Sequence, residues 1–64
     1  MSNYKNSIAI IIPALDPDQR LVNLVKNLRE DDFRNILVVD DGSKEENQCY
    51  FQTCEEQYHC TVLH

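Results

Sequence analysis

The chain has 64 residues, six basic and eleven acidic, for a formal net charge of -5. A domain of this length buries only about 60% of the surface its unfolded chain exposes, so it holds one modest core and no second domain. The acidic balance, with no basic stripe to neutralise phosphates, excludes a nucleic-acid duplex as partner and fits an anionic membrane leaflet poorly.

Apolar residues make up 42% of the chain and charged residues 27%, which is ordinary for an ordered globular domain. A core of this size supplies roughly 3–5 kcal/mol unless a staple, a metal or a partner chain adds to it. Cys49, Cys54 and Cys60 form no CxxC pair, and no His-rich spacing accompanies them to suggest zinc. They read as reduced thiols in the small core of a cytoplasmic protein, with a Cys54–Cys60 bridge as the alternative. Residues 1–7 lack the charged and apolar regions of a signal peptide. The longest apolar run, residues 8–15, is interrupted by Pro13 and is too short to insert into a membrane.

Residues 1–6 are polar and are expected to fray. Ser7-Ile8-Ala9-Ile10-Ile11-Ile12 is a continuous β-branched run. It predicts a first strand buried on both faces, ended by Pro13, which cannot donate to a ladder. Ala14-Leu15 then forms a short loop. Asp16 as cap, Pro17 at the first helical position and Gln19 three residues after the cap predict a helix start. Leu21, Leu24, Val25 and Leu28 give that helix one apolar stripe. The acidic run Glu30-Asp31-Asp32 lies at its negative end and favours a stop there.

Ile36-Leu37-Val38-Val39 runs straight into Asp40-Asp41-Gly42-Ser43, which predicts a second buried strand over Asn35–Asp40. Ser43 as cap with Glu46 three residues on predicts a second helix continuing to Tyr58. Its apolar face, Phe51, Cys54 and Tyr58, is thin. Residues 60–64 begin a third strand. The order β-α-β-α-β with short loops predicts a three-layer α/β fold around a short parallel sheet, half of a doubly wound, Rossmann-like sheet.

In such sheets ligands bind beyond the carboxyl ends of the strands. Those ends carry Pro13-Ala14-Leu15-Asp16 and Asp40-Asp41-Gly42-Ser43, adjacent across one β-α-β unit. A carboxylate beside backbone N–H groups can read a base edge, since uracil and guanine offer an N–H donor flanked by carbonyl oxygens. Gly42 lets the backbone approach a ligand closely. Asp41 is the foremost candidate, with Asp40 second because the strand's period can turn it toward a helix. Asp41 also has a bland reading as a turn residue, Asp16 and Ser43 as helix caps. His59 and His64 have no Ser or Cys at a nucleophile turn beside them, which argues against a triad. With Gly42 the only glycine, a Gly-rich phosphate loop is excluded.

Ile11-Ile12-Pro13-Ala14-Leu15-Asp16-Pro17, followed after one helix by Ile36-Leu37-Val38-Val39-Asp40-Asp41-Gly42-Ser43, resembles the start of the inverting glycosyltransferases of family 2, which have the GT-A fold. The resemblance spans essentially the whole chain. It implies a nucleotide-diphosphate-sugar donor, often a UDP-sugar. Pro13, Ala14, Leu15 and Asp16 would line its base and ribose, and Asp41 would accept the base N–H. Leu15 stands where some members carry an aromatic residue, and Asp16 where Asn or Glu is commoner. The family's metal-binding D-x-D motif and its catalytic base follow a later strand, beyond residue 64. A divalent cation, Mg or Mn, is therefore expected of the parent enzyme, with no cofactor and no transferase activity in this chain alone.

Two rivals come from other classes. A phosphoacceptor receiver domain also carries paired Asp residues, but there the pair follows the first strand. A non-catalytic interaction module is the other: with no strand beyond it, residues 8–12 would form a long apolar edge, predicting a homodimer or a strand-swapped oligomer.

Overall fold

The structure, a computed structural model, describes residues 7–64. The fraying expected at residues 1–6 lies outside the described residues. The elements run β1 (Ala9–Ala14), α1 (Gln19–Glu30), β2 (Asn35–Asp40), a 3-10 turn (Glu45–Asn47) leading into α2 (Gln48–Tyr58), and β3 (Thr61–Leu63). The three strands form one parallel sheet in the order β1-β2-β3. The α/β class, the parallel sheet and the β-α-β-α-β order are those the sequence predicts.

The layering differs from expectation. Two crossovers of one hand that step the same way across a sheet leave their helices on the same face. Here α1 and α2 pack against each other and share one core. The described residues therefore form two layers rather than three. A doubly wound arrangement needs a strand on the far side of β1, where the stepping direction reverses.

The strands are consequently buried on one face, not both. Register pairs Ile10 with Ile36, Ile12 with Val38 and Ala14 with Asp40, and Val38 with Val62 of β3. These residues face the helices. Val38 is completely buried, as are Val25 of α1 and Cys54 of α2, and Phe51 lies among them. Each of the buried Val and Phe side chains contributes about 1.5–3 kcal/mol on burial. The alternate residues face the other way: Ile11 is 62% exposed and Leu63 51%, with Leu37 and Val39 half-buried between them.

Both predicted helix starts move. Asp18 caps α1, accepting the Arg20 N–H at 2.9 Å, and Asp16 sits two residues outside. The buried face of α1 is Leu21, Val22 and Val25, while Leu24 is exposed. Packing against α2 as well as the sheet turns the helix toward Val22. Ser43 caps nothing, because the chain first makes the 3-10 turn and α2 begins at Gln48. β1 starts at Ala9 and runs through Pro13, which an edge strand tolerates. α2 ends at His59 in the left-handed conformation (φ 58°), and the Cys60 N–H closes back on the Cys54 carbonyl at 3.1 Å.

All three cysteines are free thiols. Cys54 and Cys60 fill the core as expected, whereas Cys49 is exposed. Burial pushes the Cys54 thiol up to about 11, with the neighbouring Cys60 adding to it, and burial raises Cys60 as well.

Candidate functional site

The carboxyl ends of β1 and β2 lie side by side. Ala14 pairs with Asp40, and the Asp41 N–H donates to the Ala14 carbonyl at 3.0 Å, extending the ladder past the strand. The turn that follows needs Gly42, at φ 90°. A Cβ there would meet no atom within 4 Å, so backbone conformation, not space, selects glycine.

Asp40 faces the helices, as the period of β2 dictates, and is only 9% exposed. Its Oδ1 accepts the Ser43 N–H at 2.8 Å. Its Oδ2 accepts the Gln48 side-chain amide at 2.8 Å and lies 3.0 Å from His64 Nδ1. An ionised carboxylate only accepts, so that His64 nitrogen carries the hydrogen. The Gln48 amide, then His64, then the Ser43 N–H hold the Asp40 carboxyl far below the usual carboxylate range. The buried charge is thus satisfied by the protein's own donors.

Asp16 has a different occupation. It adopts a left-handed backbone (φ 46°) and donates its N–H to Ser43 Oγ at 2.7 Å. Its Oδ1 accepts the Lys44 N–H at 2.7 Å and the Asn47 side-chain amide at 3.2 Å. The Lys44 N–H, then Asn47, lower its pKa. Asp16 therefore ties the loop after β1 to the turn that opens α2.

Asp41 remains. Its carboxylate is exposed and makes no hydrogen bond among the described residues. Leu15, at 62% exposure, and Pro13 also face solvent, and Ala14 is half-buried. The structure thus brings Pro13, Ala14, Leu15 and Asp16 together with Asp40, Asp41 and Gly42. Within this set, Asp41 offers an uncommitted acceptor, while Asp40 and Asp16 hold the surrounding backbone.

A metal site does not fit these residues. Asp40 is ringed by N–H donors rather than by further oxygen ligands. Among the described residues no group of three or more His, Cys, Asp and Glu side chains is placed to hold an ion. Nor, among them, is any helix long and apolar enough to cross a membrane.

Sequence reasoning missed several supporting residues. Gln48 reaches back from the first turn of α2, and nothing local marks it. His64 was legible in principle, since Val39 pairs with Leu63 and the residue just after β3 comes to Asp40. Arg29 lies on the polar side of α1 and gives no periodic signal. It donates to four carbonyls: Tyr58 at 2.6 Å, His59 at 2.8 Å, Arg34 at 2.9 Å and Phe33 at 3.1 Å. These belong to the end of α2 and to the chain entering β2.

The similarities found to other proteins each cover part of the chain. A segment of 38 residues, 59% of the chain, is 45% identical to the UDP-N-acetylglucosamine–dolichyl-phosphate N-acetylglucosaminyltransferase of Methanococcus voltae and covers 15% of it. A segment of 39 residues, 61% of the chain, is 38% identical to an uncharacterized protein of Methanocaldococcus jannaschii and covers 16% of it. The chain thus spans a small fraction of the length of these relatives. No protein-family model matches it, and no solved structure does. Over the segment concerned, this chain is similar to a glycosyltransferase.

Proposed function

We propose that this chain is the donor-nucleotide-recognition part of an inverting glycosyltransferase of family 2, with the sheet of a GT-A fold. Its ligand is the nucleotide of an NDP-sugar, UDP-sugar first among them. The observation that carries this reading is the exposed Asp41 carboxylate, held by its own N–H against Ala14 at the joined ends of β1 and β2. A free acceptor so placed suits the ring N–H of uracil or guanine, with nearby backbone groups for the flanking carbonyls. Pro13, Ala14 and Leu15 supply the opposite wall, and Gly42 keeps that approach open. The partial similarity to a transferase that uses a UDP-sugar by name supports the same donor class.

Sugar transfer also needs charge on the leaving diphosphate and a base for the acceptor. On this reading the chain supplies the nucleotide contacts, and the charge and the base belong to the rest of a complete enzyme. A divalent cation, Mg or Mn, would be held by other parts of a complete enzyme. Amide NMR during titration with UDP tests the reading. The expected result is movement of Ala14, Asp41 and Gly42, abolished in Asp41→Ala. No movement at millimolar UDP would overturn it.

A second reading has its own observation. Among the described residues β1 is an edge strand without a charged residue, and Ile11 on it is 62% exposed. Natural edges are usually blunted by charge or by a covering element. We infer pairing of β1 with β1 of a second copy, which would make the chain a non-catalytic dimerising module. Sedimentation showing a monomer at micromolar concentration would exclude it.

A further inference from the structure

A feature of the candidate site is unexplained by base recognition. Asp16 holds a left-handed backbone, uncommon for any residue but glycine and tolerated best by Asn and Asp. Such conformations persist where surrounding contacts over-determine them. Here the contacts are three hydrogen bonds, to Ser43 Oγ and from the Lys44 N–H and the Asn47 amide. All three cross from the loop after β1 to the turn after β2. On the same turn, Asp40 holds the Ser43 N–H from the buried side. Ser43 is therefore gripped at its hydroxyl by one loop and at its N–H by the strand.

We infer that Asp16 is a positioning residue: through Ser43, Lys44 and Asn47 it clasps the loop after β1 to the turn after β2. The clasp fixes Leu15 and Asp41 at one separation for a nucleotide base. This rests on the nucleotide reading given above, and it assigns Asp16 a role distinct from contact with the base or ribose. A positioned wall matters because small displacements of a binding group carry large penalties in affinity. The carboxylate needs no charge for this work, since Oδ1 acts only as an acceptor.

Four substitutions separate the possibilities. Asn keeps both an acceptor and tolerance of the left-handed backbone, so Asp16→Asn retains UDP affinity within about threefold. Asp16→Gly relieves the backbone but removes the acceptor, and Asp16→Ala removes the acceptor and keeps the strain. Both weaken UDP binding about tenfold or more and speed hydrogen exchange at the Lys44 amide. Ser43→Ala combined with Asp16→Ala adds less than the sum of the two, as coupled members of one network do.

The readouts divide the outcomes. If Asp16→Asn loses as much affinity as Asp16→Ala while Lys44 stays protected, Asp16 contacts the ligand through its charge and the inference is overturned. If Asp16→Gly regains full affinity, backbone strain alone was at issue, and the inference is likewise overturned. If the unsubstituted protein binds no UDP, the nucleotide reading fails by itself. The clasp is then decided by exchange at Lys44 and by backbone order at Leu15 and Gly42 in the free protein. Unchanged values in Asp16→Ala overturn it there.

Discussion

The Gln48 side-chain amide donates to Asp40 Oδ2 at 2.8 Å, tying the first residue of α2 to the last residue of β2. The bond spans the turn that carries Asp41 and Gly42, so the shape of that turn depends on the ionised state of a buried carboxyl.

That dependence predicts an acid-sensitive fold. An unfolded Asp titrates near about 3.9, and the donors around Asp40 hold its folded value well below this. A group whose pKa is depressed on folding contributes stability above the unfolded value and loses it as pH falls toward the folded one. Asp16 and Asp18 are shifted the same way, by the Lys44 N–H and by Arg20 respectively. Thermal unfolding followed from pH 7 to pH 2 should show a midpoint that is flat above about pH 5 and falls steadily below it. In Asp40→Asn the midpoint at pH 7 drops by on the order of 10 °C, and the acid slope becomes shallower. An unchanged slope would place the acid sensitivity elsewhere.

Gly42 tests backbone against packing. Its φ of 90° is left-handed, and the space beyond it is open. Gly42→Ala should lower stability by about 1 kcal/mol from conformation alone, with no clash term. Urea unfolding of the two proteins measures the difference, and equal midpoints would mean the turn relaxes to negative φ.

Arg29 is expected to matter more than its place on a polar helix face suggests. Removing its guanidinium strands four carbonyl partners, two of them on Tyr58 and His59. Arg29→Ala should cost about 2–3 kcal/mol. Arg29→Lys should recover only part of this, since an ammonium cannot span carbonyls set around a planar fork. Full recovery by Lys would reduce the role of Arg29 to its charge.

Thiol chemistry separates the three cysteines. Cys49 is exposed, while Cys54 and Cys60 are buried with raised pKa values. A maleimide at neutral pH should label Cys49 rapidly and the other two only in denaturant. Rapid native labelling of Cys54, read by peptide mass, would show that α2 opens from the sheet.

What was legible in the sequence follows from range. The apolar run of β2 fixes a strand at Asn35–Asp40, as observed. The alternation of strands and helices is equally local, and so is the thin face of Phe51 and Cys54. Helix caps are not legible where two local candidates compete. Asp16 and Asp18 stand two residues apart, and a partner 28 residues away, the Lys44 N–H, claims Asp16. The Ser43 hydroxyl is likewise taken by the Asp16 N–H, 27 residues distant. Strand period offers the helix-facing orientation of Asp40 as the alternative to a binding role, and that orientation is the one found; its donors Gln48 and His64 come from later elements. The apolar density of Ile8 to Ile12 suggested cover on both faces, and density alone does not show on which side the helices fall.

The clasp also has an order in time. Every donor to Asp16, and the Ser43 and Gln48 donors to Asp40, lie at or before residue 48. A chain emerging from its N-terminus thus brings together all the parts of the Asp16 clasp before most of α2 and all of β3 exist. His64 comes last, adding its bond to an already seated Asp40.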